Sequence, residues 1–352
     1  MKAYLNGGLG DTRRQLGTGR HASSGDKKEK GKEKQMDQVV FDAARHQTVV
    51  PDKKPEVSVV LPVFNGEAHI AEALESILVQ TMPDFELLII NDGSTDGTRA
   101  IVEDYARRDA RIVLFNTPNR GIVAALNYGL ELAGGEFIAR MDADDIAVPD
   151  RFEIQLAILK RDPAVVTCGG NMVKFGAAKG TLRFPRDDLM CKAALLFGTC
   201  FGHPSVMLRA STIRDHGLRY DARYEFAEDY HFWTVLGRYG KLNNTGQPLV
   251  RYRIHDGQIG RASRQPQRRA HLSVALLNWS EAGVPIDPER LKGFLWPRLE
   301  RISDLFRYTL LFFRIAGCVT QLHGHRRTDY LWFAFCAFSR NVGRRILTGA
   351  SA

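Results

Sequence analysis

The sequence predicts an α/β fold with a largely parallel central sheet flanked by helices, and three observations carry that prediction. From Glu56 onward, short apolar runs alternate with amphipathic stretches, as in βα units. The first two runs, VSVVLPVF (Val57 to Phe64) and FELLIIND (Phe85 to Asp92), are nearly continuous, as in strands covered on both faces. With 44% hydrophobic and 25% charged residues, the 352-residue chain matches ordinary globular usage, which argues against disorder, collagen or coiled coil as its main state.

Taken in order, Val57 to Phe64 is the first strand. Ile70, Leu74, Ile77 and Leu78 then fall at helical spacing and make one apolar face. Phe85 to Asp92 is the second strand, Arg111 to Asn116 the third and Glu136 to Asp142 the fourth, with helices near Thr98 to Arg108 and Ile122 to Ala133 between them. Ala164 to Gly170 reads as a fifth strand after a helix that Pro149 opens from its first turn. From 171 to 260 the rhythm loosens. Residues 1–54, with the mixed-charge run DKKEKGKEK, read as a disordered basic tail, 55–260 as the α/β domain, and 261–352 as a helical, basic segment. Within that segment, LERISDLFRYTLLFF and TDYLWFAFCAFSRNVGRRIL have helical spacing and the Trp, Phe and Arg content of a membrane-surface helix pair.

The net charge of +9 is uneven: 12 basic against 7 acidic groups in 1–54, 22 against 27 in 55–260, and 15 against 6 in 261–352. A nucleic-acid reader is expected to carry its positive charge on the folded recognition domain. Here the core is acidic and the flanks basic, which excludes nucleic acid as the expected partner and favours an anionic surface such as a membrane. Five irregularly spaced cysteines form no metal-ligand or disulfide pattern and read as buried small hydrophobes. The N-terminus lacks the apolar core of a signal peptide, and no run of about 18 apolar residues is present, so the expected location is cytoplasmic, with peripheral contact at the inner membrane face.

In an open α/β sheet, ligands bind beyond the carboxyl ends of the strands. Three strands end there in polar residues: Pro62-Val63-Phe64-Asn65-Gly66, Asn91-Asp92-Gly93-Ser94-Thr95-Asp96-Gly97, and Asp142-Ala143-Asp144-Asp145. The second alone reads as a turn with Asp96 capping the next helix. The third holds three carboxylates in four residues, which repel one another unless a cation is bound. Mg²⁺ or Mn²⁺ suits such oxygen ligands together with substrate phosphates. Glu228-Asp229 lies among aromatic residues in YEFAEDYHFW, surroundings that raise a carboxylate's pKa and favour a base. RYRIHDG groups Arg251, Arg253 and His255, suited to phosphate or metal.

Together, in order and spacing from about Val57 to Gly260, these segments and NRGIVAALNYGLELAGGEFIARMDADDIAVPDRFE, HPSVMLR and LVRYRIHDG resemble the family 2 inverting glycosyltransferases, which have the Rossmann-like GT-A fold and use nucleotide-diphosphate sugars. The resemblance implies that Pro62, Val63, Phe64 and Asn65 line the donor pocket, the Phe64 ring lying against uracil or thymine. Asp92 would accept the pyrimidine N3 hydrogen. Asp142 and Asp144 would form the D-x-D motif, with Asp144 the direct metal ligand, Asp142 toward the ribose or the metal's waters, and Asp145 supporting the loop. Arg140 and His255 would reach the donor sugar or diphosphate. Asp229 would be the base and Glu228 would orient base or acceptor, the two exchanging if the register shifts. His203 and Trp233 would lie on the acceptor side.

Two departures are visible. Many relatives have Arg-Asn where this chain has Leu126-Asn127, so one donor-sugar contact is expected to be missing. The Gln/Arg/Trp motif and transmembrane helices of processive synthases are lacking, so the expectation is one sugar per encounter to a glycan or lipid-linked acceptor. A nucleotidyltransferase would need a Gly-rich basic loop after the first strand, and Asn65-Gly66-Glu67 is not one. The alternative from another class is a non-catalytic sugar-nucleotide-binding scaffold at a membrane, against which the intact acidic motifs argue.

Overall fold

Strand β1 (Val57–Val63) is buried along its whole length because both faces are covered. Its period of two sorts the side chains. Val57, Val59, Leu61 and Val63 join one apolar cluster with helix α1 (Ile70–Leu78), whereas Val60 joins another under α3 (Ile122–Leu132). Gly129 is required at that second contact, since a Cβ there would stand 2.3 Å from Val60 Cγ1. The computed structural model describes residues 54–255, 264–283 and 286–296. The expected N-terminal tail and the two aromatic, basic stretches beyond Leu299 lie outside them.

Strands β2 (Phe85–Asp92), β3 (Ile112–Thr117) and β4 (Phe137–Arg140) pair in parallel around β1 in the order β3-β2-β1-β4. The chain runs outward to β3, reached through α2 (Thr98–Arg108), then returns through α3 to the other side of β1. The gap between β1 and β4 is therefore a topological switch point, where ligands enter such sheets. Beyond β4 come β8 (Met207–Arg209), which is antiparallel, then β6 (Val165–Gly176), β9 (Lys241–Ile254) and the short β5 (Ile146–Ala147). A short β7 (Gly180–Leu182) pairs with β6. The mostly parallel sheet agrees with the expected class.

Pro149 lies just outside α4 (Arg151–Arg161), with Asp150 at the cap, rather than in its first turn. The loosely read region holds α5 (Asp188–Ala194), α6 (Ala210–Asp215) and α7 (Glu228–Leu236). It also holds the 14-residue β9, which pairs in parallel with β6 across several bulges, near one of which Gly246 takes φ +77°. Cys168, Cys191 and Cys200 are free and buried, as expected of small hydrophobes.

The core continues past the boundary expected at 260. Helix α8 (Arg264–Glu281) buries Val274, Ala275 and Trp279 in the same cluster as α3 and α7. The Trp279 Nε1–H donates to the Leu196 carbonyl (2.8 Å) and Asn278 to Leu195 (2.7 Å). Helix α9 (Pro288–Leu295) adds Leu291, also fully buried. Among the described residues no helix is long and apolar enough to cross a membrane.

Candidate active site

The loops after β1 and β2 are stitched together. Asn65, at φ +50°, donates its N–H to Ser94 Oγ (2.9 Å), while its Oδ1 accepts from the Thr95 N–H (2.8 Å). Asp96 accepts from the Glu67 and Thr98 N–H groups and so joins the two loops, but the cap position of α2 expected for it is held by Gly97. This framework leaves the Phe64 ring 52% exposed at the strand end. A large apolar ring in that position is available to stack on a planar ligand. Val63 differs from expectation: strand alternation turns its side chain into the core, so only its backbone faces the strand end. Pro62 is buried beside it.

Asp92 is buried and accepts from the Arg120 and Gly121 N–H groups (2.9 Å each), just before α3. Gly121, at φ +85°, provides the turn that aims both amides inward. Leu126, the departing residue, is buried in the core, and Asn127 beside it holds the Tyr220 backbone through both its carbonyl and its amide.

At the end of β4, ligand oxygens of Asp142, Asp144 and Asp145 lie within 4.8 Å of one another. Burial, then repulsion from Asp142 and Asp144, pushes the Asp145 carboxyl up to about 9. Burial likewise raises Asp142, against the pull of Arg140. The end of β9 clamps the loop: the Arg253 N–H donates to Asp145 Oδ1 (2.8 Å), the Arg253 Nε–H to the Asp144 carbonyl (2.8 Å), and Arg253 Nη2 pairs with Glu72. Arg253 is thus committed to the loop rather than to phosphate. His255 Nε2 lies 3.0 Å from Asp144 Oδ2, and its ring meets His69 edge-on at 5.1 Å. Asp145 Oδ2 is buried without a partner, so the set of three carboxylates beside an imidazole fits a divalent cation.

Glu228 and Asp229 open α7, just after Phe226 at φ +70°, an uncommon conformation for a bulky residue. Burial, reinforced by Asp229, raises Glu228 to about 7, and burial raises Asp229 as well. Arg140 is only 5% exposed and pairs with Asp142 at 2.5 Å. It lies beneath the site, so the expected direct contact with donor sugar or diphosphate gives way to a hold on Asp142.

His203 Nε2 lies 2.9 Å from the Tyr220 hydroxyl, and burial holds its pKa well below the ordinary value. Trp233 does not reach an acceptor: it is fully buried against Phe201, Phe232 and the His203 ring, because its helix face packs into the core. Three contributors escaped the sequence reading. His69 and Tyr220 carry no local signal. A fully buried Arg151 runs against the usual exposure of arginine; its guanidinium donates to the Arg140 and Val206 carbonyls.

A family model for glycosyl transferase family 2 matches residues 58–212. The chain is 35% identical over 219 residues, covering 58% of this chain and 67% of the relative, to an uncharacterized glycosyltransferase of Haemophilus influenzae. The chain belongs to glycosyltransferase family 2. It is 29% identical to an uncharacterized glycosyltransferase of Rickettsia typhi over 58% of this chain and 65% of that one. The chain thus spans about two thirds of the length of these curated relatives. Among solved structures it is similar to S. aureus TarS 1–349 in complex with UDP-GlcNAc (TM-score 0.56, 16% identity, 84% of this chain and 92% of that one). It is also similar to the mannosyltransferase PcManGT of Pyrobaculum calidifontis with GDP-Man and Mn²⁺ (TM-score 0.50, 19% identity, 86% and 89%). At these identities the likeness shows the fold, which is that of the GT-A glycosyltransferases.

Proposed function

We propose that this family 2 member is an inverting, metal-dependent hexosyltransferase that moves one sugar per encounter from a UDP- or dTDP-sugar to a hydroxyl of a glycan or lipid-linked acceptor. Its expected place is the cytoplasmic face of a membrane, touched by its basic C-terminal part. The observation that carries the reading is the pair Glu228-Asp229, partly desolvated and raised toward neutrality, opening a helix within the electrostatic reach of the group that holds the D-x-D loop.

In this reading Phe64 stacks on the base and Asp92 accepts from its N3–H. Asp144, with Asp142 and His255 beside it, would hold Mg²⁺ or Mn²⁺, which supplies charge neutralisation at the leaving diphosphate. Asp229 takes the proton of the acceptor hydroxyl as that oxygen attacks the anomeric carbon on the face opposite the diphosphate, inverting the centre. Glu228 orients the base, and His203 with Tyr220 frames the acceptor side. TarS is described with a uridine donor and PcManGT with a guanosine one. The Asp92 carboxylate can accept the N3–H of uracil or thymine but has no such partner in cytosine, whose N3 carries no hydrogen.

Calorimetric titration of UDP, dTDP, GDP and CDP with Mn²⁺ and with EDTA tests this. Cation-dependent binding of UDP or dTDP, lost in Asp144→Ala and kept in Asp229→Asn, supports the reading. Tight GDP binding overturns the base pocket, full transfer by Asp229→Asn overturns the base, and no nucleotide binding by folded protein favours a scaffold.

A further inference from the structure

His203 opens the single turn of helix that precedes β8 (His203–Ser205), and contacts on either side tie it to both acidic motifs. The Val206 carbonyl, just after that turn, accepts from the Arg140 N–H (3.0 Å) at the end of β4, two residues before Asp142. The His203 ring meets Trp233 edge-on with centroids 5.8 Å apart, and Trp233 lies one helical turn after Asp229. We propose that His203 is a specificity-determining residue, fixed by Tyr220 as the Nδ1–H tautomer so that it offers one hydrogen-bond donor to an oxygen of the acceptor sugar. The inference rests on the transferase reading above and deepens it, since it states what the acceptor side recognises.

The tautomer follows from where the hydrogens can go. The Tyr220 N–H donates to Asn127 Oδ1 (2.8 Å), its carbonyl accepts from Asn127 Nδ2 (2.9 Å), and its ring stacks on Phe232 with centroids 4.2 Å apart. Its hydroxyl, on a buried residue so fixed, lies 2.9 Å from His203 Nε2, which is its partner among the described residues. If Nε2 carried the proton, the phenolic hydrogen would be left buried without an acceptor, a costly arrangement. Donation from the hydroxyl to Nε2 satisfies both atoms and requires the ring proton to sit on Nδ1. An imidazolium would strand the same hydrogen, because both its nitrogens donate. Burial also favours the neutral ring, holding its pKa well below the ordinary value.

The His203 ring is half-buried, and among the described residues its Nδ1 has no protein partner. A single fixed donor selects for a sugar oxygen with a free lone pair, whether of a hydroxyl, a ring ether or an N-acetyl group. A sugar lacking that oxygen leaves the donor unpaired, which is the stronger form of discrimination.

The test is nitrogen-15 NMR of the full chain with labelled histidine, which tells a protonated ring nitrogen from a bare one, with His203→Gln assigning the signals. In wild type at neutral pH, Nδ1 is expected to be protonated and Nε2 bare. Tyr220→Phe keeps the stack and both backbone bonds, and should move the proton to Nε2 or to a mixture of tautomers. With UDP and Mg²⁺ present, free glucose, galactose, mannose and N-acetylglucosamine are then titrated. At least one should shift the Nδ1–H signal, and its binding, read by saturation transfer to the sugar protons, should fall roughly fivefold in His203→Ala, the worth of one hydrogen bond. A wild-type Nε2–H tautomer or imidazolium overturns the proposal, as does an Nδ1–H signal that none of the sugars moves. An unaltered tautomer in Tyr220→Phe overturns the part given to Tyr220, and the wild-type spectrum remains decisive if that variant does not fold. Failure of UDP to bind protein that shows the expected tautomer overturns the transferase reading instead.

Discussion

Replacing Asp145 with Asn should stabilise the metal-free protein at neutral pH, an unusual direction for a change in a fully buried loop residue. Burial and two neighbouring carboxylates raise Asp145 from 3.8 to about 9. Between those values the folded protein keeps a proton that the unfolded chain has released. Stability is thus highest below 3.8, falls as pH rises, and its loss is complete above about 9. At 1.36 kcal/mol per unit, the 3.2 units from 3.8 to pH 7 amount to about 4 kcal/mol. Asn retains an oxygen for the Arg253 N–H and places an amide where Asp145 Oδ2 has no partner. Thermal melts with EDTA should put Asp145→Asn on the order of 10 °C above wild type at pH 7, with the gap closing toward pH 4. Added Mn²⁺ should narrow the gap, since a cation at 100 times its Kd stabilises by about 2.7 kcal/mol and favours the ionised triad. A variant that melts at or below wild type at pH 7, or with the same pH slope, would refute the reasoning.

Phe64→Ala should weaken nucleotide binding by about 1–3 kcal/mol, the worth of one base–aromatic stack, with an unchanged melting temperature because the ring is exposed; calorimetry reads both. Since Asp229 is raised above its ordinary value and its neighbour Glu228 to about 7, transfer should lose activity on acidification above the usual carboxylate range, and an acid limb at the ordinary carboxylate position in the pH profile would contradict this. Trp279→Ala should cost about 3–5 kcal/mol of stability, seen in urea melts, and a chain ending near Gly260 should not fold, because α8 completes the core.

The sheet was legible wherever burial on both faces leaves an uninterrupted apolar run, as in β1 and β2, whose ends fall within a residue of expectation. The Asp142-Ala143-Asp144-Asp145 cluster was legible because mutual repulsion at a strand end implies a partner. Other features depend on contacts made far along the chain. Strand β9 (KLNNTGQPLVRYRI) contains Gly and Pro and little alternation, since bulges break its pairing. Trp233 looks the same in sequence whether its helix face meets solvent or Phe201. Arg151 is stabilised by carbonyls contributed from β4 and from Val206, which no spacing around residue 151 reveals.

The irregular stretch of β9 sets a phase. Between its pairing of Asn244 with Gly169 and of Val250 with Met172, β9 spends six residues against three on β6. From Val250 to Ile254 the register with β6 is continuous, so whether Arg253, with His255 two residues on just past the strand end, meets the acidic loop depends on whether the count is odd or even. Loss of one residue near Gly246 would leave the sheet paired and turn Arg253 and His255 to the opposite face. A length change of a single residue, about a dozen ångströms or more along the strand from the carboxylates, could thus silence the site with every acidic residue still in place, whereas loss of two would restore the phase.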